Sequence, residues 1–399
     1  MSSQLFPLAS AASPSATPSR LGRRGFLFAA AGTAAALTGC SVVGEKASGA
    51  EEQSVVKFGV SAPKTGPLAE YGKYYEQGFQ IALDELNGAG GINGKKVELV
   101  WEDSQSDPKQ SVPIAQKFVA DSSIIAELGD FSSGASMAAT PVYQRAKLVQ
   151  FGFTNSNPAF TDGGDMAWTT SLTQENYQQG YTKVLSKYGK KVAVLYLQTD
   201  WGKASFDLFK KYAAEVGLEV VYSSAINPES QDFRPVLLRA KEANPELVAH
   251  LGYAPEGGLL VKQLRGLGFT GKFLGGQATS QFIEVGGKAA EGTVLAENFA
   301  LKDPDAGVQK FVKAFKAKFN TDPGLFNAYA YDALHVLAQA VQKGGASREG
   351  VHKGLSSGES FKTILFGDLT FNDKRRPNNV KLKELEVRNG VFEVTGREV

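Results

Sequence analysis

Cysteine is almost absent: one thiol, Cys40, stands in 399 residues. A single Cys excludes an internal disulfide, a zinc knuckle and an iron–sulfur cluster. Histidine is scarce too, with three in the chain. His250 lies in an apolar strand pattern, His335 in a helix and His352 in a short helix; a satisfied structural imidazole is the expectation for each. There is no charge excess, 43 Lys+Arg against 41 Asp+Glu, so nothing points to a nucleic-acid partner. No run of about 18 apolar residues occurs, so no ordinary transmembrane helix is expected. No G-x-S-x-G nucleophile elbow is present, because the one such string, Gly354-Leu355-Ser356-Ser357-Gly358, follows the short helix of His352 and not a strand; H-E-x-x-H is missing, as is any cluster of metal ligands at useful spacing. A phosphate loop is missing as well. The run Gly88-Ala89-Gly90-Gly91-Ile92-Asn93-Gly94-Lys95 has Ala89 where the first Gly belongs and Lys96 where Ser or Thr belongs, and it follows a helix pattern instead of a strand. It is a helix stop and turn. The chain carries no signature of an enzyme or of a cofactor.

What is present starts with an address. Residues 1–19 are rich in Ser, Ala and Pro. Arg20 and the pair Arg23-Arg24 follow, then a 12-residue apolar run from Phe26 to Leu37, then Leu37-Thr38-Gly39-Cys40. A basic region, a short apolar region and a small-residue cleavage site make an export signal over 1–39. The paired arginines before Phe26-Leu27 look like a twin-arginine signal. The end of the run resembles a lipobox, which implies that Cys40 is lipidated and becomes the first residue. Residues 41–54 have few large apolar groups and are expected to form a tether.

From Val55 onward short apolar runs alternate with amphipathic segments. Strands are expected over 55–61, 96–102, 123–128, 147–152, 191–198, 218–225, 246–252 and 272–276. Helices are expected over 72–87, 108–121, 134–146, 175–188, 202–216, 232–243, 256–267, 305–319 and 324–342. The alternation argues for an α/β fold with parallel sheets and right-handed crossovers. Near-continuous apolar strands suit sheets covered on both faces. About ten such units are too many for one sheet, so two lobes are expected, with changes of character near 170–175 and 297–302. The segments 361–371 and 384–394 look like β structure, with Asn389-Gly390 as a tight hairpin turn.

Polar loops follow the strands, where open α/β sheets bind ligands. Ser133, in Gly129-Asp130-Phe131-Ser132-Ser133-Gly134, stands where a helix N-cap belongs; the free amides behind it suit a carboxylate, and a plain cap is the alternative. Thr154-Asn155-Ser156-Asn157-Pro158 offers hydroxyls to the same anion, or is simply a turn. Asp200-Trp201-Gly202, Gly252-Tyr253 and Gly275-Gly276-Gln277 are the corresponding loops of the second half.

These strings, with Thr65-Gly66-Pro67-Leu68-Ala69-Glu70-Tyr71-Gly72, Asp107-Pro108 and Tyr329-Ala330-Tyr331-Asp332-Ala333, resemble the type I periplasmic binding proteins in order and spacing. The resemblance is to the leucine/isoleucine/valine-binding branch of ABC-transporter solute receptors and runs from about 55 to 394. It implies two Rossmann-like lobes joined by a three-strand hinge, 55–172 plus 299–378 and 173–298 plus 379–399, closing on a ligand. It implies that Ser133 and Ser156 hold a ligand carboxylate, with Thr154 beside them. Tyr253 would face the ligand from the second lobe, and Tyr71, Trp201 and Phe326 would form walls. It also implies a lipid-anchored monomer in the cell envelope that delivers a small carboxylate, an amino acid above all, to an ABC permease. A sensory receptor on the same clamshell and an exported hydrolase using Ser133 remain alternatives. Gln277 departs from the family, which usually has Glu there for the ligand ammonium; Asp200, Glu175 and Glu297 are candidates to replace that charge, unless the ligand has no ammonium. Thr173 stands where branched-chain relatives often carry Asp, and Trp201 where Tyr is usual. Gln277 and Thr173 together weaken leucine or valine as the ligand and keep an aromatic or other organic acid, or an amide, in play, whereas Trp201 either suits a flat side chain or is a simple wall substitution.

Overall fold

A computed structural model describes residues 55–378 and 380–399. Arg23, Arg24, Cys40 and the tether lie outside the described residues.

The first lobe is built from β1 (Val55–Ala62), α1 (Ala69–Gly88), β2 (Lys96–Asp103), α2 (Pro108–Ala120), β3 (Ile124–Gly129), α3 (Ser133–Ala146), β4 (Val149–Gly152), the short α4 (Ala159–Asp162) and β5 (Ala167–Thr169). Its five strands are parallel in the order β2-β1-β3-β4-β5. The chain then enters the second lobe through α5 (Gln174–Ser186), β6 (Lys191–Leu197), α6 (Asp200–Glu215), β7 (Glu219–Ile226), α7 (Arg234–Glu242), β8 (Leu247–Leu251), α8 (Ala254–Gly266), β9 (Lys272–Leu274), α9 (Ser280–Gly286) and β10 (Val294–Glu297). It returns to the first lobe for α10 (Ala306–Phe319), α11 (Leu325–Gly344), α12 (Arg348–Leu355) and the small antiparallel pair β11 (Phe361–Thr363) and β12 (Gly367–Leu369). The hairpin of β13 (Lys383–Arg388) and β14 (Val391–Glu398) completes the second sheet, ordered β14-β13-β10-β9-β8-β6-β7. The chain therefore passes between the lobes three times, at 170–173, 298–305 and 370–382.

The side-chain period of two explains why these strands are apolar throughout. In β6, Val192 and Val194 join one core, whereas Ala193, Leu195 and Leu197 join the core on the other face. The first lobe gathers its core from both ends of its sequence: Phe58 and Val60 of β1 pack with Phe311 and Phe315 of α10 and Val336 and Leu337 of α11. Helix α11 is buried nearly all round because α1, α12 and β11 surround it. Asp107 caps α2 by accepting from the Lys109 amide, with Pro108 in the first turn, where its missing N–H costs nothing. Asn389 and Gly390 both have positive φ, 52° and 74°, as a two-residue hairpin turn requires.

Several short elements are absent from the sequence reading, among them α4, β10 and α9. Strand β10 has only four residues and falls where a break in character is expected. Helix α9 has seven, just after the Gly275-Gly276 loop. The segment expected as one β stretch over 361–371 is two three-residue strands folded on each other.

Candidate functional site

The loops after β3, β4, β6, β8 and β9 converge on a narrow cavity between the lobes, about 60 Å³ in volume. Ser133, Thr154, Ser156, Trp201, Tyr253, Gln277 and Phe326 all line it. Tyr71 stands one layer back, stacked on the lining residue Phe131 at 3.8 Å between ring centroids. A larger cleft of about 540 Å³ opens nearby between α1 and the 278–284 and 321–327 stretches. It shares Phe326 with the inner cavity but holds neither Ser133 nor Ser156, so the sequence-predicted carboxylate groups belong to the small cavity.

On the first-lobe side, Ser133 begins α3 but is not its N-cap. That position belongs to Ser132, whose side chain makes no capping bond; Ser133 is the first helical residue. The correction favours ligand binding, because the Ser133 hydroxyl is not consumed by its own helix. It accepts only a long bond from the Asn157 amide, 3.4 Å. The first amides of α3 lack intrahelical partners, and the helix dipole adds positive potential there. Asn155 ties the two serine loops together, its Nδ2 donating to Asp130 O at 3.2 Å and Ser136 Oγ at 2.8 Å. Arg376, from the third passage between the lobes, donates to Asn157 O at 2.6 Å and Thr161 Oγ1 at 3.1 Å, pinning the loop that carries Ser156. Thr154 Oγ1 lies 2.6 Å from Tyr75 OH. Burial pushes Asp130, beneath this loop, up to about 6.

On the second-lobe side, Trp201 opens α6 and stacks on Tyr253 at 5.7 Å and 27°. Tyr253 precedes α8, where its amide donates to Glu256 Oε1 at 2.8 Å. A Cβ at Gly252 would meet His250 Nε2 at 2.2 Å, so any larger residue there must displace the imidazole.

Among the bonds that join the lobes here, two are short, and longer ones of 3.4 Å run from Ala254 N to Tyr71 OH and between Tyr177 OH and Tyr329 OH. Trp201 Nε1 donates to Ser156 Oγ at 2.9 Å. Tyr71 OH donates to Gln277 Oε1 at 2.5 Å. Ligand sites usually begin near about 300 Å³, so a ligand entering this cavity must break these contacts.

The sequence named three acids to replace the charge missing at Gln277, and the structure separates them. Asp200 is exposed. Glu175 is half exposed and bonded to Tyr212 OH. Glu297 lines the cavity, 2% exposed, and burial pushes its carboxyl up to about 8. Thr173, also singled out, is the N-cap of α5, bonded to Asn176. His250 departs from the satisfied structural role expected of it. Neither of its nitrogens has a partner, it lines the cavity, and burial holds it neutral with its pKa down at about 3. Tyr177, Gln178, Tyr181 and Tyr329 complete the inner lining and were not foreseen. One signal for them exists: Gln174, Gln178 and Thr182 recur every four residues, which puts polar groups on the buried face of α5.

The model of a family described as periplasmic binding protein matches residues 55–390. A Leu/Ile/Val-binding protein homolog from Brucella abortus is 32% identical over 332 residues, 81% of this chain and 87% of the relative. Among solved structures, a leucine-binding protein from Thermotoga maritima superposes with a TM-score of 0.78 at 26% identity, over 86% of this chain and 98% of that one. A solute-binding protein of an ABC transporter from R. palustris, solved with benzoate, has the same fold: TM-score 0.78 at 18% identity, over 86% and 96% of the two chains. With two α/β lobes, parallel sheets and a cavity walled by both, the chain belongs to the periplasmic binding protein family.

Proposed function

We propose that the protein is an exported receptor that captures a small carboxylate, an amino acid first of all, between its lobes and delivers it to the permease of an ABC transporter. One observation carries the reading: hydroxyls of Ser133 and Ser156 and the start of α3 face, in one cavity, the aromatic pair Trp201–Tyr253 of the other lobe. Donors aimed at one end and aromatic walls around the rest suit a small organic anion. The Brucella relative's name supports a branched-chain amino acid. In this reading the lobes are 55–172 plus 299–378 and 173–298 plus 379–399, the three passages flex as a hinge, and the receptor works as a monomer. Arg23 and Arg24 direct export, and Cys40 carries the lipid that keeps the receptor at the membrane.

A second ligand class is favoured by Gln277. It brings no charge, its carbonyl is taken by Tyr71, and the cavity is walled by Phe131, Trp201, Tyr253 and Phe326. An aromatic carboxylate such as benzoate, the ligand in the R. palustris structure, fits those features. A thermal-shift screen of amino acids, aromatic acids, keto acids and amides separates the two. A ligand at 100 times its dissociation constant stabilises by about 2.7 kcal/mol, and the absence of any shift across the screen would discard the receptor reading.

A further inference from the structure

The lining of the cavity holds two acceptors with no hydrogen-bond partner among the described residues. Glu297, the last residue of β10, is 2% exposed, and its Oε2 has no hydrogen-bond partner. Gln178, on α5, which packs against β10, is 1% exposed, and its Oε1 has none either. Both line the cavity. A buried acceptor without a partner costs about 1–3 kcal/mol, and a charged one costs more. A fold that keeps two such residues in the lining of one ligand cavity is built to have them paired from inside it.

The titratable groups facing Glu297 are accounted for. Lys383 is its neighbour across the β10–β13 ladder, and its ammonium is taken by Asp303. Tyr177 and Tyr329 place their hydroxyls 3.4 Å apart, and Tyr329 donates to Asn298 Oδ1 at 3.3 Å. Burial and the Glu297 charge raise the pKa values of these two phenols and of Tyr181, so all three stay protonated near neutrality. His250, across the cavity lining on β8, is neutral. The Gln277 carbonyl is taken by Tyr71.

We propose that Glu297 and Gln178 form the subsite for a ligand's ammonium group, so that the cavity takes a dipolar ligand with its carboxylate toward Ser133 and Ser156. The inference rests on the amino-acid reading above and deepens it: the cationic end of the ligand is met by the end of β10, not by the loop after β9. It also gives binding a proton signature. Burial holds the Glu297 carboxyl up at about 8, so it is mostly protonated at pH 7 without ligand. An ammonium beside it favours the carboxylate, and complex formation releases that proton.

The test is titration calorimetry at pH 7 in two buffers of different ionisation enthalpy. The tightest amino acid from the thermal-shift screen is compared with its own deaminated acid; for leucine this is 4-methylpentanoate. The amino acid is expected to bind with release of close to one proton, and the deaminated acid without it. Glu297→Gln should weaken the amino acid at least about tenfold and leave the deaminated acid within about threefold. The double variant Glu297→Gln with Gln277→Glu should stay weak. Amino-acid binding that releases no proton, survives Glu297→Gln, or is restored by Gln277→Glu overturns the inference and leaves the amino-acid reading standing. Binding of amine-free acids only, with no amino acid bound by the wild type, overturns both. The proton count uses the unaltered protein, so it decides the matter even if Glu297→Gln fails to fold.

Discussion

Trp201 Nε1 donates to Ser156 Oγ across the cleft at 2.9 Å, joining the start of α6 in one lobe to the loop after β4 in the other. The bond uses a lone pair of the Ser156 oxygen and leaves its O–H for a ligand carboxylate, but it holds the indole against the loop where that ligand would sit. The protein thus closes on itself with a contact that a ligand must replace. One such bond contributes about 1 kcal/mol net, enough to bias the open–closed balance but not to lock it. Trp201→Phe keeps a ring against Tyr253 and removes the donor. The ligand-free variant should scatter X-rays with a larger radius of gyration than wild type, and ligand should bring the two together. Identical radii without ligand would show that the bond does not hold the lobes.

Ser133→Ala with Ser156→Ala removes two hydroxyls from the carboxylate end. Hydrogen bonds to charged groups contribute about 1.5–3 kcal/mol each, so affinity should fall at least about a hundredfold by calorimetry. The unliganded melting temperature should hardly move, since within the protein these hydroxyls have only the Trp201 bond and a 3.4 Å contact from Asn157. Retained affinity would place the anion elsewhere.

Arg376→Met keeps the stem and deletes the guanidinium that fixes Asn157 O and Thr161. Arg376 is 5% exposed and touches the loop, not the ligand cavity. Carbonyls left without a donor cost about 1–3 kcal/mol. The variant should melt lower and bind ligand more weakly, with the ligand's optimal chemistry unchanged. A changed ligand preference would mean that Arg376 itself contacts the ligand.

Cys40→Ala should shift the protein from the membrane fraction to the soluble one in the native host, because stable attachment needs acyl chains. Continued sedimentation with membranes would end the lipid-anchor proposal.

Most of the architecture was legible because it follows from local pattern. The apolar runs of β1, β6 and β8 and the helical spacing of Phe79, Ile81, Ala82 and Leu86 on α1 each occupy one window of sequence. The loops after the strands were legible for the same reason, and the site lies in them. What was hidden depends on distant partners. Trp201 and Ser156 are 45 residues apart, and Tyr71 and Gln277 are 206 apart, so no window contains either pair. Strand β10 is too short to declare itself, and with it went the placement of Glu297. The shift of the α3 cap from Ser133 to Ser132 turns on one residue's backbone angles, which a run of two serines does not distinguish.

The buried acids give the stability of the ligand-free protein a slope with pH. Burial pushes Glu127 and Glu297 each up to about 8 and Asp332 up to about 7. Glu127 takes a 2.5 Å bond from Ser61 on one oxygen and has no partner for the other. Unfolded carboxyls ionise near about 4, so between there and 8 the folded state holds protons that the unfolded state has lost, and stability falls as pH rises. His250 works the other way, since it is neutral when folded but charges below about 6.5 when unfolded. Acids with lowered values, such as Glu85 at about 2, have finished contributing by pH 5. Across the window from 6.5 to 8 the raised acids outweigh the fading His250 contribution, and above about 7.5 they act almost alone. In thermal melts without ligand, the midpoint should drop across that window, and Glu127→Gln, which needs no proton to stay neutral, should flatten the drop. A midpoint that holds or rises from pH 6.5 to 8 in the wild type would show that these carboxyls are already ionised in the fold.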